Sequence, residues 1–122
     1  MVHDDRVALV RHYLASPSTL DNFDDLFAAD YVNHHPEGGE DSGPEAMKEF
    51  VRAVFGLIPD LSVEVQDLFA DGGTVAARLT LRGTLAATGA PITMTEIQMY
   101  RIAGGKIVER WYAVDGRDAL EG

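Results

Sequence analysis

At Leu61 the hydrophobic rhythm of this chain changes from a repeat of about 3.6 residues to a repeat of 2. Before it, apolar side chains recur at helical spacing. After it, "LSVEVQDLF", "TVAARLTLRGTL", "ITMTEIQMYRIA" and "KIVERWYAVD" alternate apolar with polar, and the glycine-bearing turns "DGG", "ATGAP" and "GG" separate them. A pattern written with one period does not settle into the structure of the other. Helices followed by a strand meander predict an α+β fold, with three N-terminal helices packed on one face of a curved antiparallel sheet of about four strands.

The helical part reads as Val7, Val10 and Leu14 on a first stripe and Leu20, Phe23, Leu26 and Phe27 on a second. "VNHHPEGGEDSGP" breaks the period with prolines and glycines and predicts a loop. A third helix opens with Ser42 as its cap and Pro44 in its first turn, carries Met47, Phe50, Val51, Val54 and Phe55 on one face, and stops before Pro59. With 122 residues and no linker, the chain is expected to form one domain over 1–122, with an ordered core at 5–117 and a tail at 118–122.

Charge narrows the partners. The chain carries 20 acidic against 10 basic side chains, for a net charge of −10, and no basic run of the kind a phosphate backbone needs. No nucleic-acid or membrane partner is expected, and a neutral or weakly acidic small hydrophobic substrate fits best. The N-terminus is charged and no long apolar run occurs, so a cytoplasmic location is expected. Thiolate chemistry is excluded, because the chain has no cysteine. Neither GxGxxG, a Walker loop nor a GxSxG elbow is present, so no cofactor is expected; the adjacent His34 and His35 lack metal-ligand spacing, so no metal is expected either.

The last two strands hold the chemistry. Uninterrupted alternation puts Ile107, Glu109, Trp111, Ala113 and Asp115 on one face of the final strand, and Gln98 with Tyr100 on one face of the strand before it. If both faces line the open end of the sheet, these groups converge against Trp111, Met94 and Phe55. A carboxylate desolvated beside an indole suits proton abstraction next to a carbonyl, with Asp115 as base and Gln98 and Tyr100 as neutral partners. Asp115 has the alternative of ending its strand in solvent, and Glu109 that of an ion pair with Arg78 or Arg101.

The order "YVNHHP", then "GPE", "PDL", "RGT" and "GKIVERW" resembles SnoaL-like polyketide cyclases, a branch of the nuclear transport factor 2-like, or cystatin-like, superfamily. The resemblance implies a cone-shaped pocket, a homodimer built through the sheet, and a cofactor-independent aldol ring closure on a polyketide-like carbonyl substrate. It assigns Asp115 the acid/base role and His34 the family's loop histidine, with Gln98 and Tyr100 as polar pocket groups. Glu109, Trp111, Phe55, Met94 and Tyr31 are the expected substrate-binding side chains. A hydroxylase of the same fold and a small-molecule-binding module are the alternatives.

Overall fold

The computed structural model of the chain describes residues 2–15 and 23–115, with side chains from residue 5 onward. Leu20 of the second predicted stripe and the tail at 118–122 lie outside the described residues. Within them the order is α1 (Val2–Ala15), α2 (Phe23–Leu26), β1 (Phe27–His34), β2 (Glu40–Ser42), α3 (Gly43–Leu57), β3 (Ser62–Asp71), β4 (Thr74–Thr84), β5 (Pro91–Ala103) and β6 (Lys106–Asp115).

The expected α+β class, with three helices on a sheet, stands. The sheet itself differs. It has six strands in the order β2-β1-β6-β5-β4-β3 and is mixed, since β1 runs parallel to β6 while the other pairs are antiparallel. The two additional strands come from segments read as helix and loop. α2 closes after a single turn, and "FAADYVNH" extends as β1 because Tyr31 and Asn33 are buried when they lie beside β6. Tertiary pairing overrides a local helical stripe here.

Two of the meander's hairpins close in two glycines, β3–β4 through Gly72 and Gly73 and β5–β6 through Gly104 and Gly105; the latter two are both at positive φ, which glycine adopts without strain. α3 begins where expected, with Ser42 extended at the cap position, but the serine side chain makes no cap hydrogen bond. Its helix ends at Leu57, where the Ile58 N–H donates to the Val54 carbonyl.

Two bulges control which side chains face inward. In β3 the register slips between Val65 and Asp67, so Val63 and Val65 are followed on the inner side by Leu68 and Ala70. In β6, Ile107 pairs with Ile102 but Glu109 pairs with Arg101, which leaves Val108 as an extra residue. From that point the alternation of β6 is inverted. The inner face of the sheet and the helices enclose Val10, Tyr13, Phe23, Phe27, Met47, Leu79, Met94 and Ile107 among other buried side chains. Each such side chain contributes about 1.5–3 kcal/mol by leaving water.

Candidate active site

Inside the layer between α1, α3 and the sheet lies a cavity lined by apolar side chains, among them Phe50, Val54, Phe55, Val63 and Leu81, with Glu96, Gln98, Arg110 and Tyr13 as its polar groups. The space open to water-sized guests is ≈ 70 Å³, and the cavity opens outward between α3 and the sheet. That volume holds about two waters.

β5 positions two of these polar groups, Glu96 and Gln98, with Tyr100 behind them, by simple alternation. Glu96, Gln98 and Tyr100 point inward and are buried, while their neighbours Ile97, Met99 and Arg101 are exposed. The three form a chain of hydrogen bonds: the Tyr100 hydroxyl donates to Gln98 Oε1, and Gln98 Nε2 donates to Glu96 Oε1. Opposite Tyr100 in the register stands Arg110, only 2% exposed. Its guanidinium donates to Asn33 Oδ1 at 2.9 Å and reaches Glu96 Oε1 at 3.4 Å. Its faces are covered by Tyr112, Phe50 and Tyr100, whose ring centres lie 4.6, 5.7 and 5.9 Å away.

Burial governs the electrostatics of this cluster. Loss of water pushes the Glu96 carboxyl above its ordinary range; Arg110 and the Gln98 hydrogen bond pull it part of the way back. For Arg110, burial opposes the charge, but the surrounding phenolic oxygens and Glu96 more than offset it, so the guanidinium stays a cation. Burial pushes Tyr13 up to about 12 and raises Tyr31 and Tyr100 as well, so these phenols are neutral at neutral pH. Two buried donors, Arg110 Nε and Asn33 Nδ2, have no hydrogen-bond partner among the described residues.

The expected site residues divide between two faces. Gln98 and Tyr100 face inward, and Phe55 lines the cavity with Gln98. Met94 and Tyr31 are core side chains that do not line it; the Tyr31 hydroxyl donates to Met47 Sδ at 3.4 Å. Asp115, Glu109 and Trp111 are displaced to the outer face, correcting the expectation that they share the cavity with Gln98. The Val108 bulge is the cause: Asp115 stands opposite exposed Thr95, Trp111 opposite Met99, and Glu109 opposite Arg101. Glu109 makes the ion pair that was its alternative, with Arg101 at 2.6 Å, and approaches His34 Nε2 at 2.6 Å.

His34 is on the outer face too, stacked on Trp111 with ring centres 5.0 Å apart and with Nδ1 3.1 Å from Glu40. The histidine on the inner side is His35. Its Nε2 meets Asp41 at 2.6 Å, and its Nδ1 lies 2.6 Å from the Tyr112 hydroxyl, which packs beside Phe50. With Nε2–H donating to the carboxylate, Nδ1 is free to accept from Tyr112.

A SnoaL-like polyketide cyclase family model matches residues 6–121, nearly the whole chain. The chain belongs to the SnoaL-like polyketide cyclase family. Among solved structures it is similar to IdmH, a candidate polyketide cyclase of Streptomyces antibioticus, with 29% identity, 98% and 97% of the two chains covered and a TM-score of 0.76. A SnoaL-like candidate polyketide cyclase of Jannaschia sp. CCS1 has 16% identity, coverage of 97% and 90% and a TM-score of 0.88. An NTF2-like protein of unknown function from Burkholderia pseudomallei has 19% identity, coverage of 96% and 95% and a TM-score of 0.83. These last two show the fold. No functionally curated protein matches the chain.

Glu96, Arg110, Asn33 and His35 are the SnoaL-like chain's inner polar residues that sequence reasoning missed. Glu96 carried a usable signal, since it precedes Gln98 and Tyr100 by the strand period. Arg110 carried none, because only the bulge turns it inward. A larger cleft of ≈ 550 Å³ lies between α1 and the β5–β6 turn. Its arginine, Arg6, is committed to the Gly72 carbonyl at 2.6 Å, and Asp5 and His12 line it without a hydrogen-bonded polar chain like that of β5. The smaller cavity is therefore the candidate active site. No helix of the described residues is long and apolar enough to cross a membrane.

Proposed function

We propose that this SnoaL-like protein catalyses cofactor-independent proton transfer at a carbon beside a carbonyl, leading to intramolecular aldol ring closure of a polyketide-like substrate, with Glu96 as the acid/base. One observation carries the reading: Glu96 is the only carboxylate among the described residues that line the cavity, and burial raises its proton affinity. Tyr100 fixes Gln98 and Gln98 fixes Glu96 through Oε1, leaving Oε2 without a partner among the described residues. That oxygen is the one available to a substrate C–H.

The steps balance without an outside reagent. Glu96 removes a proton from carbon activated by an adjacent carbonyl, and the negative charge passes to the carbonyl oxygen as an enolate, in the field of Arg110. The enolate carbon then forms a bond to a second carbonyl carbon of the same molecule. The resulting alkoxide takes the proton back from Glu96. The protein supplies position, a desolvated base and a fixed cation, while the substrate's own conjugation spreads the charge.

The outer face has a different role in this reading. Phe69, Ala76, Met99 and Trp111 form one cross-strand row, flanked by the pairs Arg78–Asp67 and Arg101–Glu109. The row is apolar and its flanking charges are already matched, which suits association with a second copy of a chain whose net charge is −10.

The test is deuterium incorporation from D2O into acidic C–H positions of 1,3-dicarbonyl compounds, comparing the wild type with Glu96→Gln and Asp115→Asn. Acceleration that Glu96→Gln abolishes and Asp115→Asn leaves intact is expected. Loss in Asp115→Asn with retention in Glu96→Gln would overturn the assignment of the base.

A further inference from the structure

We infer that Tyr112, anchored at its hydroxyl by His35 and Asp41, is a positioning residue for the cavity: it holds the Arg110 guanidinium back from Glu96, so that the inner ion pair stays open. The consequence for catalysis rests on the proton-transfer reading above; the placement of Arg110 does not.

Strand order sets up the opposition. Across β2-β1-β6-β5, Arg110 and Tyr112 stand on the inner face of β6, between Glu96 on β5 and the β1–β2 edge. Arg110 is opposite Asn33 on one side and Tyr100 on the other; two residues on, Tyr112 is opposite Gln98. His35 follows Asn33 by the same two residues, just past the end of β1. Its Nδ1 lies 2.6 Å from the Tyr112 hydroxyl, and its Nε2 lies 2.6 Å from Asp41 Oδ2 on β2. The anchor therefore draws Tyr112 toward the side of β6 away from Glu96.

Arg110 is the group such an anchor restrains. Its edges donate to neutral oxygens, Asn33 Oδ1 at 2.9 Å and the Tyr31 and Tyr100 hydroxyls, while Glu96 Oε1 is left at 3.4 Å. An unrestrained guanidinium and carboxylate close to about 2.7–2.9 Å. The exposed pair of Arg101 with Glu109 stands at 2.6 Å. Of the three rings on the Arg110 guanidinium, Tyr112 is the nearest, its centre 4.6 Å away against 5.7 Å for Phe50 and 5.9 Å for Tyr100. Phe50 has no hydroxyl to anchor it, and the Tyr100 hydroxyl is joined to Gln98, on the Glu96 side. Tyr112 is the ring tied toward β1 and β2.

The dyad also strengthens the hold. With Asp41 accepting from Nε2–H, His35 Nδ1 accepts from the phenol. A phenol that donates to an imidazole backed by a carboxylate gains negative charge on its ring, and the ring face is what attracts the guanidinium. A latch for β2 would not need these side chains. β2 is already paired with β1 from Val32 to His34, and the turn between them is closed by the backbone hydrogen bonds of His35 with Gly38 and Gly39.

An open pair leaves Glu96 basic. Arg110 from β6, Gln98 from its own strand and Tyr13 from α1 face Glu96, and of these only Arg110 is charged. Arg110 already draws the buried carboxyl part of the way back toward its ordinary range, and a closed pair would draw it further.

The test follows the Glu96 side-chain carboxyl by carbon NMR through a pH titration of the intact protein. The variants are Tyr112→Phe, which keeps the ring and removes the anchor, His35→Gln, and His34→Gln on the outer face as control. Tyr112→Phe and His35→Gln are expected to move the Glu96 titration to lower pH by at least about half a pH unit, about a threefold loss of proton affinity, with His34→Gln leaving it in place. No movement, or movement to higher pH, would overturn the inference. Nitrogen NMR of the wild type adds a check that needs no variant: the proton of the neutral His35 ring is expected on Nε2, and a proton on Nδ1 instead would overturn the anchor. The acid limb of the deuterium-exchange profile should move with the titration. Exchange abolished by Glu96→Gln while the titration stays put in Tyr112→Phe would remove the restraint alone; a titration that moves in a protein without wild-type exchange would remove the proton-transfer reading alone.

Discussion

Strands β5 and β6 carry two clusters of nearly the same ingredients on opposite faces. Inside, Glu96, Gln98, Tyr100 and Arg110 combine a carboxylate, an arginine and aromatic rings; outside, Glu109, Arg101, His34 and Trp111 do the same. The outer ion pair is shorter, at 2.6 Å against 3.4 Å, and by distance alone it is the better one. Exposure reverses the ranking. The Arg101 side chain is 56% exposed and shares its charge with solvent, whereas the Arg110 side chain is buried and acts through a poorly screened interior. A carboxylate held in water beside a cation is an ordinary surface group. The same carboxylate held away from water has its proton affinity raised, which is what the proposed base needs.

Removing each member in turn is the direct way to break this comparison. The largest effect is expected on catalysis: Glu96→Gln should slow deuterium exchange by about 10²–10⁴-fold, the usual contribution of a positioned acid/base. Asp115→Asn and Glu109→Gln should each change the same rate by less than about twofold. A large loss from either outer substitution would end the distinction between the faces.

Stability should follow the same division. Arg110→Ala leaves Glu96 buried without its cation and should cost about 3 kcal/mol in denaturant unfolding, toward the low end for a broken buried pair because Glu96 can take up a proton. Arg101→Ala should cost less than about 1 kcal/mol. In the other direction, Met99→Glu should weaken self-association in sedimentation velocity while leaving deuterium exchange per protomer unchanged. A dimer unaffected by a charge in the centre of that row would place the contact elsewhere.

The smallest effects are in the dependence of stability on pH. The folded pKa of Glu96 lies above its ordinary 4.5, so the native chain keeps a proton that the unfolded chain has released. Stability should fall as pH rises from 4.5 through that raised value, and Glu96→Gln should remove the decline. Exposed Asp60 is shifted the other way, because the Thr84 N–H and hydroxyl donate to it at 2.7 and 3.0 Å and hold it below 3.8. Its contribution is present above 3.8 and lost as pH falls through the lowered value; Thr84→Ala should reduce it in acid unfolding curves.

What could be read in advance was what depends on near neighbours in the chain. Period-2 spacing identified β3 to β6, i, i+3, i+4 spacing identified α3, and unbroken alternation in β5 placed Gln98 and Tyr100 inward, with Glu96 available by the same rule. β1 was misread because its partner is β6, about 80 positions later, and a stripe of Phe23, Leu26 and Phe27 is compatible with a helix until that partner is present.

The site depended on one residue. Without the extra Val108, alternation would carry Asp115 and Trp111 inward with Ile107 and turn Arg110 out to solvent. A bulge is settled by the fit between two strands and has no spacing of its own in the sequence. Amino-acid order by itself thus determined the α+β class, the meander and the family, all of which follow from local periodicity and motif. Which carboxylate leaves water, and which arginine accompanies it, was decided by strand register in the folded sheet.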